Sequence, residues 1–266
     1  MFADSVSWLP LAIKLILTAG IVVAASIIAE RVGALTGALI ATLPVTIWPA
    51  YVFLSLNHDT AYVAEAARSG LVINAFTGLF LLLYATLAQK RGTVLSLTLS
   101  VASWITLAGF ARSVGWKLES AVLLNFFIYP VCLWLSSSMR AVNMPQIKHA
   151  WYDLPTRTFM VCALMTAIIE AGNWAGPVLT GILAVYPISS TSLILILQPR
   201  IGGRAAAAVL ASSLWSLFGI GFSLIAINLL IVPLGAAIAL SAALAIPLVW
   251  NLTVWIVHRH IASAVN

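Results

Sequence analysis

The sequence predicts an all-α membrane protein of about nine transmembrane helices in an inverted 4+1+4 repeat, N-terminus outside and C-terminus cytoplasmic. Three observations predict it. Of the 266 residues, 62% are hydrophobic and only 8% charged. A soluble domain carries about a quarter charged residues, so no water-soluble surface can be built here. The apolar runs recur at the length of about 20 residues that a bilayer-crossing helix needs. One word is also written twice: Leu35–Pro44 reads LTGALIATLP and Leu179–Pro187 reads LTGILAVYP.

The apolar runs place spans at 8–29, 33–56, 62–88, 93–112, 118–138, 156–172, 175–198, 203–228 and 233–257. Polar punctuation separates them: NHDT at 57–60, QKRG at 89–92 and QPRIGG at 198–203. The stretch 139–155, MRAVNMPQIKHAWYDLP, is the longest polar segment. It divides the chain into a first repeat over 1–114, a connecting helix and loop over 115–155, and a second repeat over 156–266. Membrane-barrel strands are excluded, because the runs far exceed the roughly 10-residue alternating segments of a barrel. The N-terminal MFADSVSWLP has neither the basic start nor the small-residue cleavage site of a secretory signal.

The basic residues set the orientation. With alternate loops on opposite sides, one side collects Arg31, Lys90, Arg91, Arg140, Lys148, Arg157, Arg200, Arg204 and Arg259. The other has Arg112 and Lys117, with Lys14 and Arg68 just inside the neighbouring spans. The side richer in Lys and Arg is cytoplasmic. The net charge of +6 does not indicate nucleic acid, because the basic residues are scattered between apolar runs rather than gathered on one face.

The two halves align beyond the repeated word. Thr36-Gly37 matches Thr180-Gly181, Pro44 matches Pro187 after a one-residue gap, Lys14 matches Arg157, and Gly78 matches Gly219. Four spans then fall in each half with one between them. The odd span starts the second half on the opposite face, which makes the repeats inverted. Inverted repeats are the plan of many secondary transporters, with a site near the bilayer midplane at the repeat interface.

A proline inside a helix removes one backbone bond and frees a carbonyl. In lipid that group must be satisfied by protein or cavity water. Hydroxyls cluster beside both prolines: Thr42 and Thr46 around Pro44, and Ser189, Ser190 and Thr191 after Pro187. Two broken helices crossing at a polar midplane site are expected. Gly37 and Gly181 are read as close-packing residues, since small side chains let helices approach.

Ionisable groups inside a span are candidate functional groups. Lys14 and Arg157 lie one to two turns into the first and sixth spans. Facing inward they flank the repeat interface and suit an anionic solute; the alternative is snorkelling to the headgroups. Asn74, with Thr77 one turn on, either binds ligand or bonds a neighbouring helix; Asn125 and Asn251 are read as helix-bonding amides. Asp4, Asp59, Glu119 and Asp153 are expected in loops or span ends, in water. Glu65 lies one turn before Arg68 and can pair with it. Cys132 and Cys162 stand apart in apolar runs, with no disulfide or zinc spacing. No catalytic or phosphate-binding motif occurs, so no enzyme activity, cofactor or metal is expected.

The segment from Leu35, LTGALIATLPVTIWPAYVFLSLNHDTAYVAEAARSGLVINAFTGLFLLLYATLA, with LSVASW after it, resembles the GlpM-like small bacterial inner-membrane proteins. The resemblance rests on a Gly-Leu-x-x-x-x-Pro-Thr-like word, here Gly37 to Thr46, and a Ser-Val-Ala-x-Trp-like word, here Ser100–Trp104. Those proteins have about half this length and about four helices. The second half matches only loosely and lacks the tryptophan word. The resemblance implies a bacterial inner-membrane location, a link to glycerol metabolism or alginate production, and an origin by antiparallel pairing and fusion of a small ancestor. It carries over no catalytic residues. The function expected is secondary transport of a small solute, anionic if Lys14 and Arg157 face inward. The alternative is a non-transporting scaffold or accessory subunit for envelope polysaccharide or lipid metabolism.

Overall fold

The structure, a computed structural model, describes residues 13, 15–20, 23–24, 47–140 and 151–265. Lys14, Thr42, Pro44 and Thr46 lie outside them. The described residues are helical, with no strand among them. The helices are α1 Ile47–Asn57, α2 Thr60–Ala88, α3 Thr93–Ser113, α4 Leu118–Leu135, α5 Asp153–Trp174, α6 Gly176–Ala184 and α7 Ile188–Val265, with a 3-10 turn at Ser137–Arg140. Five helical stretches are long and apolar enough to cross a membrane, the last being Gly176–Val257.

Helix α7 is 78 residues long. Straight, it would run roughly 117 Å, about four times the hydrocarbon thickness. It instead folds back at Gly202 (φ 79°) and Gly235 (φ 80°), backbone conformations that side-chain-bearing residues rarely adopt. This gives segments α7a over 188–201, α7b over 203–234 and α7c over 236–265. The turn at Gly235 makes a close antiparallel pair. Trp250 Nε1 donates to the Trp215 carbonyl (2.7 Å), Ser216 Oγ to Asn251 Oδ1 (2.6 Å) and Ser223 Oγ to the Ala243 carbonyl (2.8 Å).

Helix α2 is the centre of the bundle. Its most apolar window is 72% buried, against 22–33% for the other four spanning candidates. Residues 70–78 are buried without interruption, as expected of a helix apolar all round and surrounded by protein. Asp59 caps its start by accepting from the Tyr62 N–H (2.7 Å).

The neighbours of α2 run in defined directions. Asn228 Nδ2 donates to the Ala64 carbonyl and Asn74 Nδ2 to the Leu217 carbonyl, while Gly203 abuts Ala88, so α7b is antiparallel. Tyr62 meets Thr180 and Tyr84 meets Gln198, so α6 and α7a follow α2 in parallel. Asn125 donates to the Leu71 carbonyl and Tyr129 to the Asn74 carbonyl, so α4 is parallel as well. Gly181 is pressed on the Ala66 carbonyl, which a Cβ there would overlap. Contacts of this kind matter because lipid supplies no hydrophobic drive between helices.

Asp153 departs from the sequence expectation. It begins α5 and is buried rather than solvated. Pro155 had marked the end of a loop, but proline is tolerated in a first helical turn, where its missing N–H costs nothing. Both Asp153 carboxylate oxygens accept from the Arg200 guanidinium, whose face lies 4.9 Å from the Tyr152 ring centroid. Beside this pair, Tyr84 donates to Gln198 Oε1 (2.7 Å), and Gln198 Nε2 donates to the Arg91 carbonyl (3.2 Å). The ends of α2, α5 and α7a are thus bound together. At the opposite end of α2, the expected Glu65–Arg68 pair forms at 3.2 Å.

Candidate functional site

The chain is broken inside the seventh predicted span. Helix α6 stops at Ala184, residues 185–187 are not helical, and α7a begins at Ile188. Pro187 sits at the break and is buried. The backbone groups at the break are satisfied nearby. The Ile188 N–H donates to the Tyr186 carbonyl (2.7 Å), and the Thr191 N–H and hydroxyl both donate to the Pro187 carbonyl (2.8 and 2.9 Å). The Val185 carbonyl accepts from Thr77 of α2 (3.5 Å).

Thr77 ties the break to the core. Its oxygen accepts from Trp104 Nε1 (3.1 Å), and the Trp104 ring meets Tyr186 edge-on at 5.0 Å. One turn earlier on α2, Asn74 Nδ2 donates to Asn125 Oδ1 (3.0 Å) and to the Leu217 carbonyl (3.1 Å). Asn125 Nδ2 donates to the Leu71 and Ala121 carbonyls (2.7 and 2.9 Å). Asn74 Oδ1 has no hydrogen-bond partner among the described residues, and the residue is fully buried. An orphan buried acceptor of this type costs about 1–3 kcal/mol. It is an acceptor held ready in the interior, one turn from a helix break.

The predicted residues fall as follows. Asn74, Pro187, Ser190 and Thr191 are buried around the break and its flanking core, and Ser189 is half-buried. Ser192, beside them, donates to the Ser189 carbonyl (2.9 Å). Arg157 is half-buried in α5, one turn before Val161, which packs on Ile188 at the start of α7a. Helix α5 therefore brings Arg157 within about one turn of the break level. Lys14, Thr42, Pro44 and Thr46 lie outside the described residues. Trp104, Tyr129 and Tyr186 were not selected from sequence. The sequence signals for Trp104 are its place in the Ser100–Trp104 word and its depth, near the middle of its span.

No group of three or more potential metal-ligating residues occurs among the described residues. The described side chains around the break are neutral amides and hydroxyls, with backbone carbonyls beside them. No family model, curated protein or solved structure matches this chain.

Proposed function

We propose that this protein is a secondary transporter of a small solute, working through a site between inverted repeats near the middle of a bacterial inner membrane. The observation that carries the proposal is the helix break at 185–187, packed against Thr77 and one α2 turn from the unpartnered Asn74 oxygen. Discontinuous helices that present backbone and polar side chains at mid-depth are how such carriers hold solutes. In this reading Asn74, Pro187, Ser189, Ser190 and Thr191 line one half of the site. Thr42, Pro44 and Thr46 supply its symmetry mate, and Lys14 and Arg157 attract negative charge.

Helices α2 and α7b, which carry the matched Gly78 and Gly219, pack antiparallel, as two helices related by an axis in the membrane plane would. Trp104 of α3 packs on Thr77 of α2, and Trp250 of α7c packs on Phe218 and Gly219 of α7b. In this reading Trp250 does for α7b what Trp104 does for α2. Helix α4, which touches both α2 and α7b, is in the same reading the odd span of the 4+1+4 plan.

Orientation is tested by labelling. With Cys132 and Cys162 replaced by alanine, Thr60→Cys is expected to react with an impermeant thiol reagent added outside. Arg204→Cys, at the other end of α2, is expected to be protected. Reversed labelling overturns the N-out topology.

Function is tested by thermal stability of the purified protein against small anions, polyols, amino acids and cations. A ligand at a hundred times its dissociation constant stabilises the folded state by about 2.7 kcal/mol. The expected result is one solute class that raises the melting temperature, with the shift reduced in Ser190→Ala while the ligand-free melt is kept. Absence of any shift, with Ser190→Ala tolerated, favours the scaffold alternative.

A further inference from the structure

The end of the bundle that carries Tyr62 and Arg68 holds a cavity of about 190 Å³ between α2, α6 and the α3–α4 turn. Its polar lining is Glu65, Arg68 and Ser69 from α2 with Arg112 and Ser113 from the end of α3. Val72 and Ile182 form apolar wall. They stand two residues before Asn74 and three before Val185.

The charges in the cavity do not cancel. Glu65 is engaged by Arg68 at 3.2 Å. Arg112 makes no hydrogen bond or ion pair with any described residue. Two guanidiniums face one carboxylate, and the lining is rich in donors: all of Arg112, the remaining N–H groups of Arg68 and the Ser69 hydroxyl. A guanidinium fork matches the oxygens of phosphate or carboxylate. The volume is below the roughly 300 Å³ of ordinary small-molecule pockets, which restricts the ligand to a small group.

We infer that this cavity is a binding site for a phosphate group, held by Arg112 and Arg68 with Glu65 as its electrostatic brake. The phosphate is either a free small anion or the headgroup of an anionic lipid at the membrane surface. This site does not rest on the transport reading; if that reading holds, the cavity is the outer mouth of the pathway.

The test is binding without a gradient. Inorganic phosphate is titrated against the detergent-purified protein at constant ionic strength, with melting temperature as readout. In parallel, the protein is melted in nanodiscs of phosphatidylcholine with and without phosphatidylglycerol. A free-anion site gives a saturable phosphate shift that Arg112→Gln weakens about tenfold or more. Arg68→Gln weakens it too, and Glu65→Gln tightens it. A lipid site gives no phosphate shift, but a phosphatidylglycerol-dependent stabilisation that Arg112→Gln removes. Either pattern supports the site, even if no solute is transported. Shifts that are absent in both arms, or equal in wild type and Arg112→Gln, overturn it. The variants alter residues at the protein surface, and their ligand-free melts report folding separately.

Discussion

Asp153→Ala is expected to destabilise the protein by about 3 kcal/mol. The carboxylate is buried and both of its oxygens are taken by Arg200. Removing it leaves a guanidinium whose side chain is only 19% exposed without its carboxylate partner. Breaking one side of a buried pair costs 3–5 kcal/mol, most of it the penalty of the stranded charge. The remaining exposure of the pair places the expectation at the lower end. Asp153 also lies in the first turn of α5, where negative charge is favoured by the helix dipole. Asp153→Asn keeps a hydrogen-bonding group and loses only charge, so it is expected to fall between wild type and alanine. The pair Asp153→Leu with Arg200→Met is expected to melt above Asp153→Ala, because no buried charge remains. Melting curves of these four proteins in one detergent check the ordering. An alanine variant within about 0.5 kcal/mol of wild type would show that the pair does not hold the ends of α5 and α7a together.

The spans that sequence located well are those bounded by local signals. The prediction of 62–88 became Thr60–Ala88 and that of 93–112 became Thr93–Ser113, because NHDT, QKRG and the basic residues near 112–117 interrupt otherwise unbroken apolar runs. The helix break was legible for a similar reason. Pro187 is followed by four hydroxyl residues, Ser189 to Ser192, within a long apolar run, and proline with local hydroxyls signals a backbone that must be repaired in place. What remained hidden depends on partners distant in sequence. Asp153 looked like a loop residue because its partner, Arg200, is 47 positions away. Asn125 was read as a helix-bonding amide, and it does bond helices, but its link to Asn74 depends on the rotation of α4 about its axis. The unpartnered oxygen of Asn74 is a property of the packed state alone. No residue type or spacing announces that one side of a buried amide is satisfied and the other is not.

That asymmetry yields the most discriminating expected result for the candidate site. Asn74→Leu and Asn125→Leu each break the bond between the two amides. If the cluster serves only to join α2, α4 and α7b, Asn125→Leu, which loses three bonds, should destabilise more than Asn74→Leu, which loses two and removes the orphan acceptor, and neither should alter solute binding. In the transport reading their roles in solute binding differ. Asn125 Oδ1 accepts from Asn74, and its Nδ2 donates to two carbonyls. Asn74 keeps a buried acceptor without a hydrogen-bond partner among the described residues, one helical turn before Thr77. Asn74→Leu is therefore expected to weaken the solute found in the stability screen about tenfold or more, the effect of losing one well-placed buried hydrogen bond. Asn125→Leu is expected to weaken it several-fold less. Ligand-dependent melting shifts of the two variants, each referred to its own ligand-free melt, separate binding from folding. Full retention of the shift in Asn74→Leu would remove the amide from the site and leave the helix break and its hydroxyls to carry solute recognition.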